Sequence, residues 1–201
     1  QTRDILTRLD VIFIDLWLHP VRFMDDIMFA VGSNNDYMNG ALSEGEIDLQ
    51  SMQLYADRLK IQSYKGWERK EPILVDNSAL FIGQTLNDKS VLKDGRFHSV
   101  LDFKEEVRHL AEQHGHLYYS RHPFLKSGDE AELDFIQSLP NTSITSLSTY
   151  KMICHPRISC VAGLSSSVLT EAKLMEKDVR QLMPGPFDLK SFGNLSGYAT
   201  R

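Results

Sequence analysis

The chain has 201 residues, 42% of them hydrophobic and 24% charged, with a formal net charge of −5. That length supports one sizeable core, or one domain with a substantial appendage. No apolar run approaches the roughly 20 residues that cross a bilayer, and the basic residues (Arg3, Arg8, Lys65, Arg69, Lys70, Arg121, Lys126) are scattered, without the dense stripe that would make nucleic acid a partner.

The first 75 residues are irregular. Asp10–Leu16 (DVIFIDL) reads as a strand, Val21–Val31 as a helix preceded by Pro20, Gly32–Asp36 as a turn-rich loop, and Ile47–Ile61 as a longer amphipathic helix. Tyr64–Pro72, with Gly66 and several charges, is the candidate linker. From residue 78 onward, strand and helix alternate. Ala79–Gly83 (ALFIG) suits a buried parallel strand. Val100, Phe103, Val107, Leu110 and Ala111 then mark a helix with charged residues on its other face, which Gly115 is placed to end. His116–Ser120 is a second strand, followed by a helix at Asp129–Leu139 and a brief strand at Ser143–Thr145. Helix Thr149–Cys154, strand Ile158–Ala162, helix Ser166–Lys177 and strand Val179–Met183 complete the series. The pattern predicts an α/β fold: a doubly wound, Rossmann-like parallel sheet with helices on both faces. The last stretch, from Pro184-Gly185-Pro186, leaves the sheet, and either crosses back to the first segment or is partly mobile.

Cys154 and Cys160 follow no metal-ligand spacing and are expected as free buried thiols in a reducing cytoplasm. No cluster of acids or histidines predicts a metal, and Asp25-Asp26 reads as a solvated helix face. A chain that starts at Gln1, with no signal-peptide pattern, reads as an excised or processed piece.

Polar residues gather after successive strands. Gly83–Ser90 (GQTLNDKS) follows the first, Arg121-His122-Pro123-Phe124 the second, and Gly163-Leu164-Ser165-Ser166-Ser167 the fourth. The carboxyl ends of parallel strands share one rim, so Asp88, His122 and the serines are expected to converge there. Gly163 would permit a tight turn, and the following helix N-terminus with its serine hydroxyls suits a ligand phosphate. Each residue also has a plain structural role open to it. Asp88 suits a turn, His122 a loop, Arg121 a surface ion pair, and the serines an N-cap that Glu171 would support.

His122-Pro123, followed 43 positions later by Ser165-Ser166, resembles the HP and SS motifs of bacterial transferases that use CMP-activated nonulosonic acids. Gly83-Gln84 with Asp88 and Ser90, ahead of Arg121-His122-Pro123, is more similar to the retaining β-Kdo transferases of capsule and lipopolysaccharide assembly. His-Pro occurs three times, and only His122-Pro123 follows a predicted strand directly; His19-Pro20 belongs to a weaker echo at Asp15–Pro20, and His155-Pro156 falls on the opposite rim.

The resemblance implies the donor-binding half of a two-domain GT-B glycosyltransferase. It divides the chain into a partial acceptor-side segment and linker (1–75), a CMP-sugar-binding domain (76–185) and a C-terminal extension (186–201). Residues 1–75 are too short for a complete partner domain, so part of the acceptor half is expected to be missing. Gln84, Arg121, His122, Ser165, Ser166 and Ser167 would bind the donor, with Arg121 on the phosphate or the sugar carboxylate. Asp88 would be the nucleophile, and Asp15 an acid or base for the acceptor hydroxyl. The implied partners are CMP-Kdo or a related CMP-sugar and a glycan acceptor, with no cofactor beyond the donor, in the cytoplasm and with room for peripheral contact with the inner membrane face or polysaccharide-assembly machinery. In a sialyltransferase the base would instead be an acid before glycine, at Asp94-Gly95 or Glu44-Gly45. A non-catalytic nucleotide-binding module and an interaction domain whose polar residues are only caps and turns stand beside these readings.

Overall fold

The computed structural model describes residues 2–25, 27–44, 47–65, 72–125, 127–184 and 196–199. Helix α1 (Thr2–Arg8) opens the chain. Asp10, at φ +53°, ends it in a Schellman arrangement: Val11 N–H reaches Leu6 O at 3.0 Å and Asp10 N–H reaches Thr7 O at 3.1 Å. That left-handed turn keeps Asp10 out of a strand, so β1 begins later than its apolar run suggests, at Ile14–Leu18.

The predicted helix at Val21–Val31 is not formed. A loop leads instead to strand β2 (Met28–Ser33), antiparallel to β1 with Leu18 opposite Phe29 and Ile14 opposite Ser33. Burial along β2 alternates at its start, with Met28 and Ala30 buried and Phe29 and Val31 less so, and strand pairing overrides the helical spacing. The expected loop at Gly32–Asp36 shrinks accordingly: Asn35 caps helix α2 (Asp36–Ser43), its side chain accepting from Met38 N–H at 3.0 Å. Helix α3 (Leu49–Lys65) is the long amphipathic helix. Of the candidate linker, residues 66–71 lie outside the described residues.

The remaining elements are β3 (Ser78–Ile82), a two-stranded ribbon of β4 (Leu92–Lys93) and β5 (Arg96–Phe97), α4 (Lys104–Gln113), β6 (Leu117–Ser120), α5 (Glu130–Ser138), β7 (Thr142–Thr145), α6 (Thr149–Cys154), β8 (Ile158–Gly163), α7 (Val168–Leu174) and β9 (Asp178–Gln181). A final strand, β10 (Ser196–Ala199), crosses back to pair antiparallel with β2. The main sheet runs β7-β6-β3-β8-β9, parallel throughout. Numbered within that sheet, the strands stand 3-2-1-4-5, the Rossmann order, with the direction of winding reversing between β3 and β8.

Both faces of the sheet are covered, which is why every residue of β3 is buried. Leu80, Ile82 and Val161 pack with Met52 and Ala56 of α3, Ile153 of α6 and Leu169 of α7, while Phe81, Tyr119 and Ala162 pack with Val107 and Leu110 of α4 and Ile136 of α5. The first 75 residues thus supply a helix to one layer of the sheet. Cys154 and Cys160 are free and buried. Among the described residues no helix is long and apolar enough to cross a membrane, and no group of acids, histidines or cysteines is placed to hold a metal.

Candidate functional site

The switch point between β3 and β8 opens on a cavity of about 640 Å³. Its lining includes Gln84, Asp88, Arg121, His122, Ser165, Ser166 and Ser167, together with Leu18, Arg22, Lys89, Ser90, Thr149 and Tyr150. In open parallel sheets this crevice at the strand carboxyl ends is where ligands bind, because backbone groups at strand ends and helix starts are left without partners there.

Gln84 joins the two central strands. Its Oε1 accepts from Ser165 N–H at 2.8 Å, and its Nε2 lies 3.1 Å from Ser90 Oγ and 3.3 Å from Ser165 Oγ. Ser165 Oγ in turn donates to Ser90 O at 3.0 Å. Asp88 Oδ1 accepts from Ser90 N–H at 2.9 Å and so caps the short 3-10 turn Lys89–Val91. Asp88 Oδ2 stands 3.5 Å from Gln84 Nε2, which places the carboxylate beside this knot.

Past Ser165, the cap expected of the serine run comes from Ser166 and not from Ser167: Ser166 O accepts from Leu169 N–H at 3.1 Å and its side chain makes a long contact with the helix start. Ser167 precedes α7 with helical dihedrals (φ −59°, ψ −25°) and no side-chain cap bond, and Ser166 Oγ is 3.4 Å from Val168 N. Gly163 differs from expectation too: it is the last residue of β8, outside the left-handed region, and a side chain there would come 3.3 Å from Ile82 O. Glu171 does not support the first turn of α7. It is buried, accepting from Arg22 N–H at 2.7 Å and from the Tyr150 hydroxyl at 2.9 Å. Burial, only partly offset by these donors, pushes its carboxyl up to about 7.

On the β6 side, Arg121 forms a two-pronged pair with Asp129, Nε to Oδ2 at 2.6 Å and Nη2 to Oδ1 at 2.7 Å. The Asp129 side chain is fully buried, and the guanidinium holds its carboxyl below the usual range. Beneath them, Glu132 accepts from the Tyr119 hydroxyl at 3.1 Å and from Val100 N–H at 3.3 Å, and burial pushes its carboxyl up.

His122 Nδ1 accepts from Phe124 N–H at 3.2 Å. Proline has no N–H, so in a His-Pro turn the first donor that can reach back is the residue after it. The same bond forms at His19 (from Val21, 3.1 Å) and His155 (from Arg157, 3.1 Å). An Nδ1 that accepts leaves Nε2 to carry the ring proton, so in this tautomer His122 offers an N–H donor at the cavity wall.

Asp15 is not brought to this cavity. It lies inside β1 opposite Gly32, one residue out of phase with Leu16 and Leu18, so strand alternation sends it to the face away from Leu18, the β1 residue that lines the cavity. Asp94-Gly95 forms the two-residue turn between β4 and β5, with φ +52° and +79°, where Asp-Gly is favoured for its backbone. Gly45 lies outside the described residues.

Thr149, Tyr150 and Arg22 were not anticipated. Thr149 follows the loop after β7, and the rim rule that selected the other loops applies to this one as well. Arg22 had no local signal, since its contact with Glu171 spans 149 residues.

No described protein family and no curated protein matches the chain. Among solved structures it is similar to Thermosulfurimonas dismutans KpsC, beta Kdo 2,7 transferase, at 18% identity over 87% of this chain and 60% of that one, with a TM-score of 0.48. It is also similar to Thermosulfurimonas dismutans KpsC, beta Kdo 2,4 transferase, at 12% identity over 88% of this chain and 63% of that one, again with a TM-score of 0.48. The chain spans less than two thirds of the length of either.

Proposed function

We propose that the cavity binds a CMP-activated nonulosonic acid of the Kdo class and serves its transfer to a hydroxyl of a glycan acceptor. One observation carries the reading: Gln84, Asp88, Arg121, His122 and Ser165–Ser167, singled out on sequence from three separate loops, line one cavity at the switch point of the sheet. The volume, about 640 Å³, suits a sugar nucleotide.

In this reading the phosphate lies against Ser166, Ser167 and the Nε2–H of His122, with Lys89 adding positive charge. These donors are fixed before the reaction, so they stabilise the charge that grows on the departing phosphate without reorganising. The Asp88 carboxylate attacks the anomeric carbon, and the bond from that carbon to the phosphate oxygen breaks with its electron pair leaving on CMP. The acceptor oxygen then attacks the same carbon, the electron pair of the Asp88 ester returns to the carboxylate, and the hydroxyl proton passes to water. Two displacements retain the anomeric configuration.

Titration with CMP followed by intact-mass analysis after incubation with CMP-Kdo tests this. We expect CMP to bind, more weakly in S166A and S167A, and a sugar adduct to appear on Asp88 and vanish in D88A. Absence of CMP binding, or an adduct on a different residue, overturns the assignment.

A further inference from the structure

We infer that Arg22 is the residue that reads the second anionic group of the ligand, the sugar carboxylate, and that Glu171 positions it; this rests on the CMP-sugar reading above. A donor of that class carries two anions, one on the phosphate and one on the sugar. Arg121 is the obvious partner for a carboxylate, but two of its guanidinium nitrogens are already spent on Asp129, at 2.6 and 2.7 Å. The remaining cations on the cavity wall are Lys89 and Arg22. Lys89 belongs to the loop of Asp88 and Ser90, tied by Ser90 to the serine turn, and so stands with the proposed phosphate end. Arg22 reaches the cavity from elsewhere in the chain, beside Tyr150 and Glu171, and its charge acts on both. Among the described residues its guanidinium has no ion-pair partner.

An exposed arginine on a loose loop would carry little argument, but this loop is pinned. His19 N–H bonds Met28 O at 2.9 Å, Val21 N–H bonds His19 Nδ1 at 3.1 Å, and Arg22 N–H bonds Glu171 Oε1 at 2.7 Å. Val21 is only 1% exposed and belongs to the same core as Leu169 of α7. Glu171 therefore fixes the backbone from which the Arg22 side chain departs, while the Tyr150 hydroxyl, at 2.9 and 3.0 Å from the two carboxyl oxygens, fixes Glu171. Burying a carboxyl is costly, and the two donors, the Arg22 N–H of the β1–β2 loop and the Tyr150 hydroxyl of α6, are what make this one tolerable. The outcome is a fixed backbone from which the Arg22 side chain reaches the cavity wall, on a loop separate from the Gln84–Ser165 knot.

The test measures dissociation constants for CMP, which lacks the sugar carboxylate, and for freshly prepared CMP-Kdo, on wild type, R22Q, R22K, E171A and E171Q. We expect R22Q to weaken CMP-Kdo by about tenfold or more, the loss of one charge-assisted contact, while CMP changes by less than about twofold. R22K should recover part of the loss. E171A should reproduce the selective loss, and E171Q, which keeps an oxygen for Arg22 N–H, should rescue it. Equal weakening of both ligands in R22Q, or no change in either, overturns the role of Arg22 and leaves the CMP-sugar reading intact. Failure of wild type to bind CMP, or binding of CMP without CMP-Kdo, overturns the donor reading and this inference with it. R22Q alters an exposed side chain, so the test stands even if E171A does not fold.

Discussion

Glu171 Oε1 accepts from Arg22 N–H at 2.7 Å, joining two residues 149 positions apart. The bond ties the loop between β1 and β2 to α7, and it does so with a carboxyl whose burial raises it to about 7. A raised carboxyl binds its proton more tightly in the folded chain than in the unfolded one. Its contribution to stability is therefore complete below the unfolded value of 4.5 and is lost as pH rises through about 7. We expect the fold to weaken with rising pH across that window, by at most about 1.4 kcal/mol per pH unit from this group. E171Q removes the titration while keeping an acceptor. Urea denaturation of both proteins at pH 5 and pH 7.5 should show a smaller loss in E171Q, and parallel losses would show that Glu171 does not carry the dependence.

The Gln84 side chain gives a second expectation. Its Oε1 satisfies the buried Ser165 N–H, so replacing it with Leu strands that donor, while the Ser90 hydroxyl keeps Ser165 Oγ at 3.0 Å. Each buried polar group left unpaired costs about 1–3 kcal/mol. Q84L should therefore lower stability by about 2 kcal/mol and loosen the serine turn. Q84E is the sharper probe of the site itself: a second carboxylate 3.5 Å from Asp88, at the proposed phosphate end, should weaken CMP by about tenfold in a calorimetric titration. CMP affinity unchanged in Q84E would move the phosphate away from this knot.

The Arg121–Asp129 pair is expected to matter to the fold as well as to the ligand. Removing the guanidinium leaves Asp129 buried without its main partner, and the loss for a fully buried pair would be about 3–5 kcal/mol. Arg121 keeps 33% of its side-chain exposure, so solvent screening should hold the cost of R121A well below that of a fully buried pair. The arginine depresses the Asp129 carboxyl, and stability from a depressed acid is present above its unfolded value and lost as pH falls through the folded one. The gap between wild type and R121A should accordingly be largest near neutral pH and narrow below about pH 4. A pH-independent gap would assign the effect to lost packing of the arginine stem.

The parallel sheet and the three polar loops were legible because each rests on local pattern: five short strand signals interleaved with four helices, and a rule that strand ends face one way. Residues whose roles depend on distant partners were not. An ion pair was one of the two roles open to Arg121, but nothing in the sequence names the buried Asp129 as its partner, and nothing near Arg22 announces Glu171. The apparent helix at Val21–Val31 failed for the same reason, since the alternation of Met28 and Ala30 becomes visible only once β1 pairs beside them. Asp15 was misplaced because β1 runs on to Leu18 instead of ending at Leu16, which puts Asp15 inside the strand and on the face opposite Leu18. His122 was legible as a cavity residue, but its tautomer required the Phe124 N–H to be located.

Gly83 supplies a last expectation, one that links the floor of the cavity to the buried acids below it. A Cβ at Gly83 would lie 2.7 Å from the Tyr119 hydroxyl oxygen and 3.1 Å from the Ser120 carbonyl oxygen. The carbonyl is backbone of the adjacent strand, already accepting from Gly83 N–H at 2.9 Å, and has little room to retreat. The hydroxyl has to move, and it is the group that donates to Glu132, which burial already holds above its usual range. G83A should thus cost more than the crowding of one methyl, about 2 kcal/mol or more, because it also strips a donor from a buried carboxyl. Y119F removes that hydroxyl, and with it the hydrogen bond and the 2.7 Å clash, leaving the ring Cζ at 3.1 Å. If the tyrosine carries the penalty, G83A should be far less damaging in the Y119F background than in wild type, a coupling that a double-mutant cycle measured by urea denaturation reads directly. Additive losses would instead locate the strain at the contacts Y119F leaves in place, the Ser120 carbonyl and the ring Cζ.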